Sequence, residues 1–225
     1  MATNRETING YTIDDKLGEG NYTVIYRVKT DKKKPLVLKI AKKATSELNE
    51  LISREFQILS QFQHPNIAAV HDYGVAKDER SYFTMDYIDG ITIDQAFTGF
   101  GEEFITAVLQ IINALGAFHS KGFVHGDLAP ENILYIKDKK KVVLIDFAFA
   151  GMPSEDKRMV GTIGYIAPEI YKGMGVDQRS DLYSLGVIMF EVLAGEPVRD
   201  PYVPIKGVPE EINNIIARCI SKEPA

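Results

Sequence analysis

The sequence predicts an α+β fold in which strands dominate the first part of the chain and helices the rest. Three observations carry this. Residues 11–40 hold three short apolar or alternating runs, YTIDDKLGEG, TVIYRVKT and LVLKI, separated by a glycine turn and by DKKKP. Residues 46–62 and 105–119 repeat apolar side chains at helical spacing. Residues 180–193, SDLYSLGVIMFEVL, are almost wholly apolar over the length of a helix.

Composition narrows the class. A chain of 225 residues, 45% hydrophobic and 25% charged, suits a soluble globular protein with room for one large domain or two lobes. A net charge of −5 gives no reason to expect nucleic acid as a partner. The single cysteine, Cys219, has no internal disulfide partner and reads as a small buried side chain. MATNRETING is polar and lacks an apolar signal core. The longest apolar run, LGVIMFEVLAG (185–195), is interrupted by Glu191 and falls short of the roughly 20 residues of a membrane span. The expectation is a reduced, soluble, cytoplasmic domain without a membrane segment.

In chain order, the first functional signal is the turn Gly18-Glu19-Gly20-Asn21-Tyr22-Thr23-Val24. Glycines let backbone N–H groups approach phosphates closely, although a hairpin wants glycine for its own conformational reasons. Lys39 follows inside the apolar strand LVLKI, where an ammonium is costly without a partner. The next element, SELNELISREFQILSQF (46–62), places Glu55 beside its apolar stripe and within reach of Lys39; Thr45 or Ser46 is its N-cap. After the 105–119 helix comes HGDLAPEN (125–132), with a carboxylate at Asp127 and an amide at Asn132. The strands ILYI (133–136) and VVLIDF (142–147) follow, the second ending in Asp146. Hard oxygen ligands gathered in this way suit Mg²⁺ bridging phosphates better than zinc.

In this order the motifs resemble a eukaryotic-type protein kinase domain of the serine/threonine-like kind, with a non-arginine HGD loop. They are the glycine turn, Lys39, the glutamate of REFQIL, HPNI (64–67), MDYIDG (85–90), HGDLAPEN, IDFA (145–148), GTIGYIAPE (161–169) and SDLYSLG (180–186). They run from Gly18 to about Pro224, nearly the whole chain. The resemblance implies a two-lobed kinase-like fold across 1–225: a β-rich lobe of about 1–85, a hinge near 86–89 and a mainly helical lobe of about 90–225. ATP is then expected between the lobes. Its adenine would meet the hinge at Asp86 and Ile88, with Met85 behind it, Val24 and Val37 above and Leu134 below. Gly18 and Gly20 would cover the phosphates. Lys39, held by Glu55, would bind the α and β phosphates, Asn132 and Asp146 would hold Mg²⁺, and Asp127 would take the proton of a protein Ser/Thr hydroxyl. Thr162 would hold Asp127, and Asp181 would brace the loop from below, a plain helix cap being the simpler reading. Leu59, Val70, His125 and Phe147 match the stacked residues that tie kinase lobes together.

The departures from the family pattern carry information too. Thr23 stands for the third glycine and Val37 for an alanine. Gly126 replaces the arginine that meets a phosphorylated activation loop, so the resemblance implies an enzyme that needs no loop phosphate. Ser154 is accordingly read as a turn residue. Ala129 replaces a lysine that contacts the transferring phosphate, and Ala148 replaces the glycine after Asp146-Phe147. These changes leave two competing readings. An ATP-binding pseudokinase scaffold has little need of intact metal ligands. A small-molecule phosphotransferase of the aminoglycoside or choline kinase type shares the HGD loop but lacks GTxxYxAPE. The chain stops before the arginine that pairs with Glu169 in the family, implying a truncated domain or a substitute such as Arg179 or Arg218. Lys32–Lys34 and Lys139–Lys141 read as solvated loops, and His64 and His71 as no metal pair.

Overall fold

The computed structural model describes residues 6–30, 34–150, 161–199 and 201–221. The chain divides into two compact units: 1–64 with 68–88, and 65–67 with 89–225.

The small unit is a six-stranded antiparallel sheet. Its strands are β1 (Thr7–Ile8), β2 (Tyr11–Glu19), β3 (Thr23–Lys29), β4 (Leu36–Ala41), β5 (Val70–Val75) and β6 (Ser81–Asp86), in spatial order β1-β2-β3-β4-β6-β5. β1 is not among the expected strands. It forms because Asn9-Gly10 adopt φ of 46° and 89° and close a two-residue hairpin in which Ile8 faces Tyr11. Cross-strand partners share a face, so Val24, Val28, Leu38, Ile40 and Tyr82 line one side of the sheet and form a core cluster with Ile8. The helix α1 (Ser46–Leu59) packs near β4 and β6. Thr45 caps it, its Oγ1 accepting from the Leu48 N–H at 3.3 Å. The helix ends at Leu59 rather than at residue 62, its last residues tightening into the turn 60–62.

The large unit carries a three-stranded sheet of β7 (Ile91–Thr92), β8 (Ile133–Ile136) and β9 (Lys141–Leu144). Its helices are α2 (Ile93–Ala96), α3 (Glu102–His119), α4 (Pro168–Tyr171), α5 (Gln178–Ala194) and α6 (Glu210–Cys219). β9 stops at Leu144, three residues short of the expected end at Phe147, because Asp146 turns the chain at φ of 58°. Asn66 joins β9 to the segment 65–67: its main-chain oxygen accepts from Leu144 N (2.8 Å) and its amide donates to Val142 O (2.7 Å). α5 is buried on nearly every side. At Gly186 a Cβ would come within 2.5 Å of the Cys219 Cβ, so only glycine lets α6 approach this closely. Cys219 is half-buried, more open than its apolar surroundings in the sequence suggested. No described helix is long and apolar enough to cross a membrane.

The N-cap of α5 is Asp177, not Asp181. Asp177 accepts from Arg179 N at 2.7 Å and closes a capping box with Ser180. Removing the cap in Asp177→Ala should lower unfolding free energy by about 1 kcal/mol in a denaturant titration. Arg179 beside it holds the Asp177 carboxyl below its ordinary range. The contribution is therefore present above the unfolded carboxylate pKa and is lost as pH falls through the lower folded value. The gap between wild type and variant should shrink on acidification.

Candidate active site

Within the small unit, Ile25, Lys39 and Phe83 lie in register across β3, β4 and β6, and Val37 is opposite Met85. Alternation puts these residues on the sheet face away from the core cluster. There Lys39 Nζ donates to Glu55 Oε1 of α1 at 2.8 Å, with both side chains buried. Val37 and Met85 are buried on the same face. Val24 is not. It lies opposite Ile40 and packs in the core cluster, so the residue that joins Val37 and Met85 is its neighbour, half-buried Ile25. Strand periodicity is two, and a one-residue error in placing the motif exchanges the faces.

The glycine turn connects β2 and β3. Gly18 and Gly20 have no positive φ, and a Cβ added to either would touch nothing within 4 Å. Neither the backbone conformation nor internal packing requires them, so the hairpin explanation for these glycines falls away. Thr23, in the third glycine position, is buried. At the far end of β6, the Asp86 carboxylate accepts from Lys34 Nζ (3.3 Å) and lies 3.0 Å from His71 Nε2. The chain then runs without regular structure through Tyr87 and half-buried Ile88.

Within the large unit, HGDLAPEN is held from below by a single carboxylate. Asp181, at 1% exposure, accepts from the main-chain N–H of His125 (2.9 Å) and Gly126 (3.0 Å), and lies 2.8 Å from His119 Nε2. Gly126 has φ of 79°, the left-handed region that glycine occupies without a Cβ penalty. The Asp127 Oδ1 atom accepts two bonds from Thr162, from its N–H at 2.7 Å and its hydroxyl at 2.8 Å. This fixes the Asp127 rotamer. Asn132 ends a 3₁₀ turn and donates its amide N–H to Asp127 O at 2.8 Å, which turns its amide oxygen to other uses. Its own main-chain oxygen accepts from Ile145 N at 2.9 Å, and β8 and β9 pair Ile133 with Leu144. Asn132 and Asp146 therefore emerge from the same end of one hairpin, and Leu134 is half-buried on the strand between them.

Asp146 combines its positive φ with a bond from Ala148 N to its Oδ1 at 3.3 Å. His125 is wholly buried with its ring 4.5 Å from that of Phe147, which stacks on Phe118 at 4.6 Å. Burial pushes the His125 imidazole down from its ordinary range. Leu59 is buried and Val70 half-buried in the small unit. Ala129 is fully buried. Ser154 lies outside the described residues, as do Lys32 and Lys33.

Among the described residues Glu169 forms no direct ion pair with Arg179, although the two charges interact. Its Oε1 accepts from Ser180 Oγ at 3.0 Å, whereas Arg179 is taken by the nearer carboxylate of Asp177. Two contacts escaped the sequence reading. His119 closes α3 and reaches Asp181; a histidine at the end of an amphipathic helix looks like a dipole partner and nothing more. Tyr165 donates its hydroxyl to Glu191 at 2.7 Å, and burial followed by that bond raises the phenol well above its ordinary range.

The donor set can be judged for a metal. Among the described residues no three His, Cys, Asp or Glu side chains gather as a ready cage. One carboxylate and one amide oxygen, Asp146 and Asn132, are hard ligands that suit Mg²⁺, an ion that keeps waters and takes substrate phosphates for its remaining positions.

Comparison with known proteins agrees with this arrangement. Residues 11–222 match the family model of the protein kinase domain. A probable serine/threonine-protein kinase of Clostridium acetobutylicum is 28% identical over 96% of this chain, and calcium-dependent protein kinase 5 of Plasmodium falciparum is 36% identical over 88%. The chain spans only 37% and 36% of those two proteins. Among solved structures, the kinase PK-1 of Cydia pomonella granulovirus superposes with a TM-score of 0.76 at 26% identity, covering 95% of this chain and 88% of that one. Fold, motif order and the disposition of Lys39, Glu55, Asp127, Asn132 and Asp146 thus lead to one conclusion: the chain belongs to the protein kinase domain family.

Proposed function

We propose that this domain is an ATP- and Mg²⁺-dependent serine/threonine protein kinase that transfers the γ-phosphate to a protein hydroxyl. The observation that carries the reading is the pair of hydrogen bonds that Thr162 donates to Asp127 Oδ1. It ties the candidate base to GTIGYIAPE and leaves the second carboxylate oxygen for an incoming hydroxyl. That segment separates the reading from a small-molecule phosphotransferase. Similarity to relatives named as serine/threonine-protein kinases supports protein substrates.

In this reading Val37, Met85, Ile25 and Leu134 contact the adenine ring, and the main chain at Asp86 and Ile88 bonds its edge. Gly18 and Gly20 let the turn approach the phosphates. Lys39, kept in place by Glu55, bonds the α and β phosphates. Asn132 and Asp146 hold Mg²⁺, which when bound neutralises charge on the β and γ phosphates. Asp127 orients the acceptor hydroxyl and takes its proton as the oxygen attacks phosphorus. The chemistry is mainly positioning and charge neutralisation. The full set of metal ligands weighs against a pseudokinase scaffold.

Gly126 offers no cation to an activation-loop phosphate, and Thr162 bonds Asp127 with neutral donors. The domain is therefore read as active without loop phosphorylation. Protein freed of phosphate, verified by mass, should keep its rate within about twofold; a larger loss would overturn this point.

The deciding assay is transfer from labelled ATP with Mg²⁺ to the protein itself and to a generic basic protein. Product on serine or threonine that vanishes in Asp127→Asn is the expected result. ATP binding without transfer would favour the scaffold reading, and transfer only to a small alcohol or aminoglycoside would favour the third. A second test separates catalysis from stability. Glu55→Leu alone removes the carboxylate that the buried Lys39 ammonium bonds and should cost about 3–5 kcal/mol, measured by chemical denaturation. Adding Lys39→Met should recover most of that stability while transfer stays lost.

A further inference from the structure

The glycine turn carries a carboxylate where a polyanionic ligand is expected, and the structure shows what holds it. Glu19 Oε2 bonds Lys16 Nζ and Glu19 Oε1 bonds Lys42 Nζ, both at 2.5 Å. Lys42 Nζ also reaches Gly20 O at 3.3 Å, and Lys42 N donates to Tyr22 O at 2.8 Å. The turn itself is closed by Gly20 N donating to Thr23 O at 2.9 Å. Lys16 lies in β2 and Lys42 follows β4, so one carboxylate links the entry to the turn with a strand two places away in the sheet. The two glycines of the turn meet no side chain and need no special φ, so the carboxylate adds to the main-chain bonds that Gly20, Tyr22 and Thr23 make.

We propose that Glu19 is a positioning residue for the nucleotide phosphates, clamping the glycine turn to the end of β4 through Lys16 and Lys42. The proposal rests on the kinase reading above. Its logic reverses what net charge alone would give. Removing a negative charge beside a nucleotide triphosphate, and leaving two lysines behind, should tighten binding by simple electrostatics. If the clamp matters more, the same change loosens the turn and weakens binding. The sign of the effect decides.

The test compares wild type, Glu19→Gln and Lys29→Ala, the last removing an exposed lysine that pairs with Asp14 away from the turn. ATP affinity with Mg²⁺ is measured by calorimetry, and KM and kcat by transfer. Glu19→Gln should raise Kd and KM about fivefold, the scale of two exposed ion pairs, with the effect on KM rather than kcat. The difference should fade near 1 M salt, where screening shortens to about 3 Å. Lys29→Ala should behave as wild type. Unchanged or tighter ATP binding by Glu19→Gln, or an equal loss in Lys29→Ala, overturns the clamp. Amide exchange on the nucleotide-free protein supplies a reading independent of kinase activity. Protection of the Gly20 N–H should fall in Glu19→Gln at low salt, and unchanged protection also overturns the clamp. Wild-type protein that neither binds ATP nor transfers phosphate would instead sink the kinase reading, while the exchange result still judges the clamp.

Discussion

One buried carboxylate sets the course of the main chain through the large unit's site. Asp181 sits in the core on a helix with hardly any exposed face, and its oxygens receive two consecutive amides of the loop and an imidazole. A carboxylate at 1% exposure is tolerable only because these donors satisfy it. The dependence runs both ways. The helix needs the loop to satisfy its charge, and the loop takes its path from the helix. Asp127 comes next in the loop, and Thr162 and Asn132 both bond it.

Much of this was legible in the sequence. Lys39 in an apolar strand demanded an anion, and Glu55 at the right place in an amphipathic helix supplied it; burial cost and periodicity were enough. The hairpin holding Asn132 and Asp146 was legible for the same reason. Val24 was misplaced because the signal there is only a motif offset. A strand's two faces differ by one residue, and both Val24 and Ile25 are β-branched and apolar. β1 was missed although Asn9-Gly10 is a strong hairpin signal, because the flanking strand is two residues long and its surroundings are polar. A local capping carboxylate takes the direct bonds of Arg179, while Glu169, ten residues away in sequence, keeps a longer-range interaction with it, and no periodicity encodes that choice.

The substitutions that set this chain apart from its family pattern fit their surroundings. Gly126 occupies a left-handed conformation with Phe149 at ordinary contact distance from where a Cβ would stand. Ala129 is sealed into the core. Ala148 donates its amide to Asp146, steadying an aspartate whose backbone is itself in an uncommon region.

The Asp181 arrangement also bears on how the large unit fails when heated. Freeing the loop while α5 stays folded would leave the buried Asp181 carboxylate with His119 but without its two main-chain donors, a state costing more than the bonds it breaks. The loop therefore has no cheap way to open by itself. Its order should disappear in the same calorimetric transition as the helix beneath it, so that the temperature at which the large unit melts also sets the upper limit for a structured catalytic loop.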